Sequence, residues 1–268
     1  MRLTHPSAPF QGVPAEDVFF AANDLYVQLG VGYIILNMQE EMYPERPMQL
    51  YIDIQSQASA RNLLLGALMG RAEQIRAAFP QFKGRLYTEI PPTQFDLMTF
   101  YSQNGFSAND AREEYMFPLP AGAAQPPMGC VFASVPLQTM QDQYAFLSRL
   151  NRYRMSPISH DYLTLQMQQP YFLALGYYRG GHPIAELVMT GASTDTSALV
   201  MLYVQRDMRA RGVGKSLILA ASNLLRERGV GTAVTQVFSA NAPQMGLMRS
   251  LGASKRKIIN VLPNIEIG

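Results

Sequence analysis

Two arginines, two glycines and a lysine fall within one short run, Arg209-Ala-Arg-Gly212-Val-Gly214-Lys215. Glycines allow close approach of backbone N–H groups to a ligand, and a helix opening there aims its positive end at an anion. Arg209, Arg211 and Lys215 add formal charge at the same place. A phosphate or pyrophosphate is the ligand such a run can hold.

The flanking residues predict the elements that would position it. Residues 198–204 read as a strand ending at Val204, and 214–228 read as an amphipathic helix ending at Gly229. A strand at 232–238, a helix at 242–251 stopped by Gly252, and a strand at 257–262 follow. Gly214-Lys215-Ser216 also resembles the end of a nucleotide-binding G-x-x-x-x-G-K-[ST] loop. That pattern needs a glycine where Arg209 stands, and 232–238 carries no acid to manage magnesium.

Charge is divided unevenly along the 268 residues. Residues 1–130 hold 8 basic and 13 acidic side chains, and the remainder hold 14 and 7. The basic residues of the second half form short clusters, as a discrete phosphate-bearing ligand requires, and no whole basic face suggests nucleic acid. One cysteine, Cys130, excludes a disulfide framework, and His5, His160 and His182 are too scattered for a metal site. No apolar run reaches the roughly 18 residues that cross a bilayer, so a cytoplasmic protein without membrane contact is expected. The sequence leaves room for a homodimer.

The first half repeats this order of elements. Strands are expected at 32–39 and 49–54, a helix at 61–78, a strand at 85–90, a short helix at 95–104 before Gly105, and a last strand at 114–119. The proline-rich stretch 118–129 reads as a linker. The expected division is residues 1–120, a linker at 121–130, and residues 131–268. Laying Leu50-Tyr51 on Leu202-Tyr203 gives an offset of 152, and Gly105 on Gly252 gives 147. A longer connection around 79–82 would absorb the difference, and the chain reads as a degenerate tandem repeat.

The run 209–214 resembles the [QR]-x-x-G-x-[GA] loop of the GNAT superfamily of N-acetyltransferases. Asn241-Ala-Pro-Gln-Met-Gly-Leu-Met-Arg-Ser-Leu-Gly252 is similar to that family's N-x-x-A-x-x-L-Y-x-x-L-G-F segment. The resemblance implies an α+β fold: two GNAT-like domains, each a mixed, largely antiparallel twisted sheet flanked by helices. It implies that acetyl-CoA lies along Leu202, Tyr203 and Val204. Its pyrophosphate would meet Arg209, Ala210, Arg211, Gly212, Val213, Gly214 and Lys215, and Asn241 would touch the pantetheine or adenosine. It further implies acetyl transfer from acetyl-CoA to a primary amine, or, alternatively, a non-catalytic acyl-CoA-binding or regulatory module.

Two departures bear on catalysis. The family's usual acid, a tyrosine, is replaced by Met248, and neither 198–204 nor 232–238 supplies a basic carboxylate. Tyr203, Ser239 and Glu186 are candidates to move protons, with Tyr177 and His182 behind them. In the repeat register Gly212 and Gly214 fall on Ala60 and Asn62, so the first half is expected not to bind donor. Tyr101 there stands where the family places its acid, and Gln94 replaces Asn241.

Overall fold

The computed structural model describes residues 1–155, 157–191 and 195–268. The chain divides into two compact units, Met1–Asn109 with Val261–Gly268, and Asp110–Asn260.

The first unit opens with β1 (Arg2–Thr4), β2 (Val18–Ala22), β3 (Gln28–Met38) and β4 (Met48–Ser56), an antiparallel meander. A long helix, α1 (Ala58–Ala78), leads to β5 (Gly84–Tyr87), which lies parallel to β4. A short helix, α2 (Phe95–Gln103), follows. Buried Ala60, Leu64, Leu68, Ala72 and Ile75 recur at helical spacing along α1. They share a core with Ile34, Leu50, Ile52 and Ile54, which line one face of the strands.

The second unit contains β6 (Ala111–Pro118), β7 (Val131–Ser134), α3 (Met140–Asn151), α4 (His160–Met167), β8 (Leu173–Arg179), β9 (His182–Thr190) and β10 (Thr196–Val204). After these come α5 (Val213–Arg226), β11 (Thr232–Phe238), α6 (Ala242–Ser250) and β12 (Ser254–Val261). The strands form one sheet in the order β12-β6-β11-β10-β9-β8-β7. Leu217, Ile218, Ala221 and Leu225 bury α5 in the main core. Phe146, Leu147, Leu150 and Leu163 of α3 and α4 pack with Val188 and Met201 in a second cluster. Helix α3 is started by a capping box, with Thr139 and Asp142 satisfying each other's backbone N–H.

The expected division at 121–130 differs from these units. The strand expected to close the first half is β6, which sits between β11 and β12 in the second sheet. Its full-length pairing explains this: all seven residues of β11 are matched, Thr232 to Pro118 through Phe238 to Arg112, whereas β10 meets β11 over only three. The first sheet is completed instead by β13 (Asn264–Ile267), antiparallel to β5. The proline-rich stretch is no free linker either. The carbonyls of Leu119, Gly122 and Gln125 accept hydrogen bonds from Arg226, Asn223 and Ser216 of α5.

The units nonetheless repeat one plan, and the structure corrects the register. Both β4 and β10 have nine residues, and 28 positions separate their last residues, Ser56 and Val204, from the first residues of β5 and β11, Gly84 and Thr232. The offset of 152 is therefore replaced by 148, and no longer connection at 79–82 is needed. The difference lies inside that span. One residue, Gln57, joins β4 to the 21-residue α1, whereas residues 205–212 join β10 to the 14-residue α5. The first unit has helix where the second has a loop.

Candidate functional site

The site begins where two parallel strands part. β10 pairs with β11 from Thr196 to Ala198, and the pairing then stops. On its other side β10 stays paired to β9 as far as Val204, with an irregularity between Leu199 and Met201. The chain then takes a short 3-10 turn, Arg206–Met208, anchored by buried Met208. Ala210 (φ 58) and Gly212 (φ 77) both adopt left-handed backbone, and Gly212 is the N-cap of α5. A glycine costs little there, whereas a Cβ does. Gly214 matters for a different reason: a Cβ on it would lie 3.3 Å from Val204 and 3.4 Å from Leu202, so the Val204 side chain would have to give by a few tenths of an ångström. Among the described residues no side chain caps α5. Its first N–H groups and positive end are therefore presented beside the end of β10, as an anion requires.

The expected donor-binding side chains are placed as follows. Leu202 and Val204 are half-buried, and Tyr203 is buried. Ala210 and Arg211 are exposed, and Val213 is buried under the helix start. Lys215 reaches the carbonyl of Ser250 at 2.9 Å, and Arg209 donates from Nε to the carbonyl of Val204 at 2.9 Å. Asn241 is the N-cap of α6, its side chain accepting from the Gln244 N–H at 3.1 Å. Of these three, Lys215 links the start of α5 to the end of α6, Arg209 ties the loop to the end of β10, and Asn241 caps its own helix.

The proton-transfer candidates are scattered, and most are engaged. Glu186 is buried, ion-paired to Arg149 at 2.9 Å and bonded by the Tyr178 hydroxyl at 2.9 Å. Burial and that carboxylate push the Tyr178 phenol up. Ser239 accepts from the Ala111 N–H at 2.8 Å and donates to Asp110 at 3.3 Å. Tyr177 is buried against α5, 2.9 Å from Ser216, and burial raises its pKa. His182 is exposed at the β8–β9 turn. Tyr203 lies opposite Glu186 in the β9–β10 register and against the ring of Tyr153, with 4.5 Å between ring centroids. Met248 is buried in the main core. Sequence reasoning passed over Tyr153 and Arg154, which follow α3 with no motif to mark them. Arg154 donates to the carbonyl of Val200 at 3.2 Å, and burial lowers its pKa.

In the first unit β5 ends at Tyr87, opposite Tyr51, with all four of its residues paired to β4, and β4 runs on into α1 with no loop like 205–212. Tyr101 is buried between the rings of Phe100 and Phe106, each 5.1 Å away. Among the described residues, no group of three or more His, Cys, Asp or Glu could hold a metal ion. No helix among them is long and apolar enough to cross a membrane.

A mixed sheet whose central parallel strands part beside an uncapped helix start defines the class of fold. Residues 140–253 match the acetyltransferase (GNAT) family. The chain is similar to a GCN5-related N-acetyltransferase from Sphaerobacter thermophilus, at TM-score 0.50 and 15% identity over 96% of this chain and 82% of that one. A probable N-acyltransferase from Enterococcus faecalis V583, a conserved protein of unknown function, aligns at TM-score 0.54 and 15% identity, over 92% and 61%. A tandem GNAT protein from the clavulanic acid biosynthesis pathway aligns at TM-score 0.44 and 15% identity, over 98% and 91%. At these identities the first two alignments are a likeness of fold alone. No curated protein sequence matches.

Proposed function

We propose that the second unit binds acetyl-CoA and transfers its acetyl group to a primary amine. The observation that carries this reading is the uncapped start of α5, preceded by left-handed Ala210 and Gly212, at the end of a strand that has left its parallel neighbour. The N–H groups of 211–215 would take the pyrophosphate, and Leu202, Tyr203 and Val204 would line the pantetheine arm. Arg211 is the exposed cation at this helix start that spends no side-chain bond elsewhere among those described. The substrate amine, in its neutral form, attacks the thioester carbon. The new C–N bond forms, the C–S bond breaks, and coenzyme A leaves as thiolate while the amine proton passes to solvent.

Water serves as the proton carrier in this reading because Glu186 is held by Arg149 and Tyr178, and Met248 cannot donate. The same two observations favour a second reading, an acyl-CoA-binding module without turnover. Calorimetry with acetyl-CoA tests the shared part: one site per chain is expected. Gly212→Glu should abolish binding, and Arg211→Ala should weaken it by about 1–2 kcal/mol. Unchanged affinity in folded Gly212→Glu would sink the assignment. Thiol release against a panel of amines then separates the two readings.

A further inference from the structure

Three contacts meet at the start of the connection between α3 and α4. The ring of Tyr153 lies 4.5 Å from that of Tyr203, at an interplanar angle of 47°. The Arg209 guanidinium lies over the Tyr153 ring, 5.3 Å from its centroid, while Arg209 Nε bonds the carbonyl of Val204. The next residue, Arg154, bonds the carbonyl of Val200, at the irregularity in β10. Two consecutive residues thus grip the parted end of β10, and one of them also holds the first basic residue of the 209–215 run.

We propose that Tyr153 is a positioning residue for the acyl donor, fixing Arg209 and, through it, the course of residues 205–212. This rests on the reading of that loop as the donor site. Arg209 ties the strand end to the loop five residues later, so the angle at which α5 presents its N–H groups depends on where that guanidinium sits. A guanidinium over a phenol face is held by the ring's negative quadrupole, and by the planarity both groups share. The hydroxyl of Tyr153 is not needed for this, only the ring.

Two measurements on the full chain test it. In calorimetry with coenzyme A, Tyr153→Ala should bind about five- to thirty-fold more weakly, the range of a partly desolvated cation–π contact. Tyr153→Phe should stay within about twofold of wild type, because it keeps the ring. In an Arg209→Ala background, Tyr153→Ala should cost almost nothing more. Equal affinity of Tyr153→Ala and wild type, or an equal loss in both backgrounds, overturns the proposal. Hydrogen exchange on the unliganded protein gives the second readout. In Tyr153→Ala the amides of 205–212 should exchange faster while β9 and the last turns of α5 keep their protection; uniform loss of protection would make the residue merely structural, and the proposal fails. If wild type does not bind coenzyme A at all, the donor-site reading fails, while the exchange experiment still decides whether Tyr153 braces the loop.

Discussion

Glu186 and Arg149 meet at two points, with Nη2 to Oε1 at 2.9 Å and Nε to Oε2 at 3.2 Å. Glu186 is only 2% exposed, so its charge depends on this partner and on the Tyr178 hydroxyl. Arg149→Met should leave a buried carboxylate without its counter-charge and destabilise the protein by about 3 kcal/mol. Adding Glu186→Gln should recover much of that loss, because the stranded charge is gone. Urea unfolding of the single and double variants checks both steps.

Ala210 and Gly212 share left-handed backbone but differ in what it costs them. Gly212→Ala meets no atom within 4 Å, so its penalty is conformational alone. A left-handed alanine costs about 1–2 kcal/mol, offset by about 0.4–1 from a stiffer unfolded chain. Gly212→Ala should therefore lose about 0.5–1 kcal/mol, and Ala210→Gly should gain a similar amount. Equilibrium unfolding should show opposite signs; equal signs would mean the loop conformation differs.

Residues 131–268 alone should fail to fold, because β11 would lose the strand that matches all seven of its residues. The segment 110–260 retains β6 and should show native-like spectral dispersion. A well-dispersed NMR spectrum from 131–268 would contradict this.

Met248→Tyr places a phenol in a core position that is 2% exposed. Overpacking should cost about 1–3 kcal/mol. Since that side chain packs among core residues, the substitution should not create a new acid in the pH–rate profile.

The first unit should weaken in strong alkali. Burial raises the pKa of Tyr33 and of Tyr101 to about 12, with Asp53 adding to both and the Thr88 hydrogen bond partly opposing it at Tyr101. The folded state keeps these protons while the unfolded chain begins to lose them near pH 10. Stability is thus full below pH 10 and falls between about 10 and 12, by at most about 1.4 kcal/mol per pH unit for each tyrosine. Tyr101→Phe should flatten the decline in denaturant titrations at pH 9 to 11.

The loop, its strand and its helix were legible because glycine spacing and apolar periodicity are local signals. The register of the repeat was not. Leu50-Tyr51 and Leu202-Tyr203 match in type, but sheet pairing equates Met48 with Thr196, since each heads the parallel contact with the next strand. The placement of 111–118 was hidden for a related reason: a strand's sequence reports burial, not which sheet supplies its neighbours. β7, with four exposed residues, and β13, only four residues long, carry too little pattern to be seen. The ion pair that occupies Glu186 was not legible because its partner Arg149 lies 37 residues away.

Strand β13 gives the first unit a late dependence during synthesis. The edge of β5 that β13 covers is translated roughly 10–35 s before residues 264–267 at ordinary elongation rates. Through that interval the nascent first unit presents an open edge, the feature by which sheets capture stray strands. A ribosome-associated chaperone has its longest window there, and a stall anywhere in the second half would release a product whose first sheet cannot close.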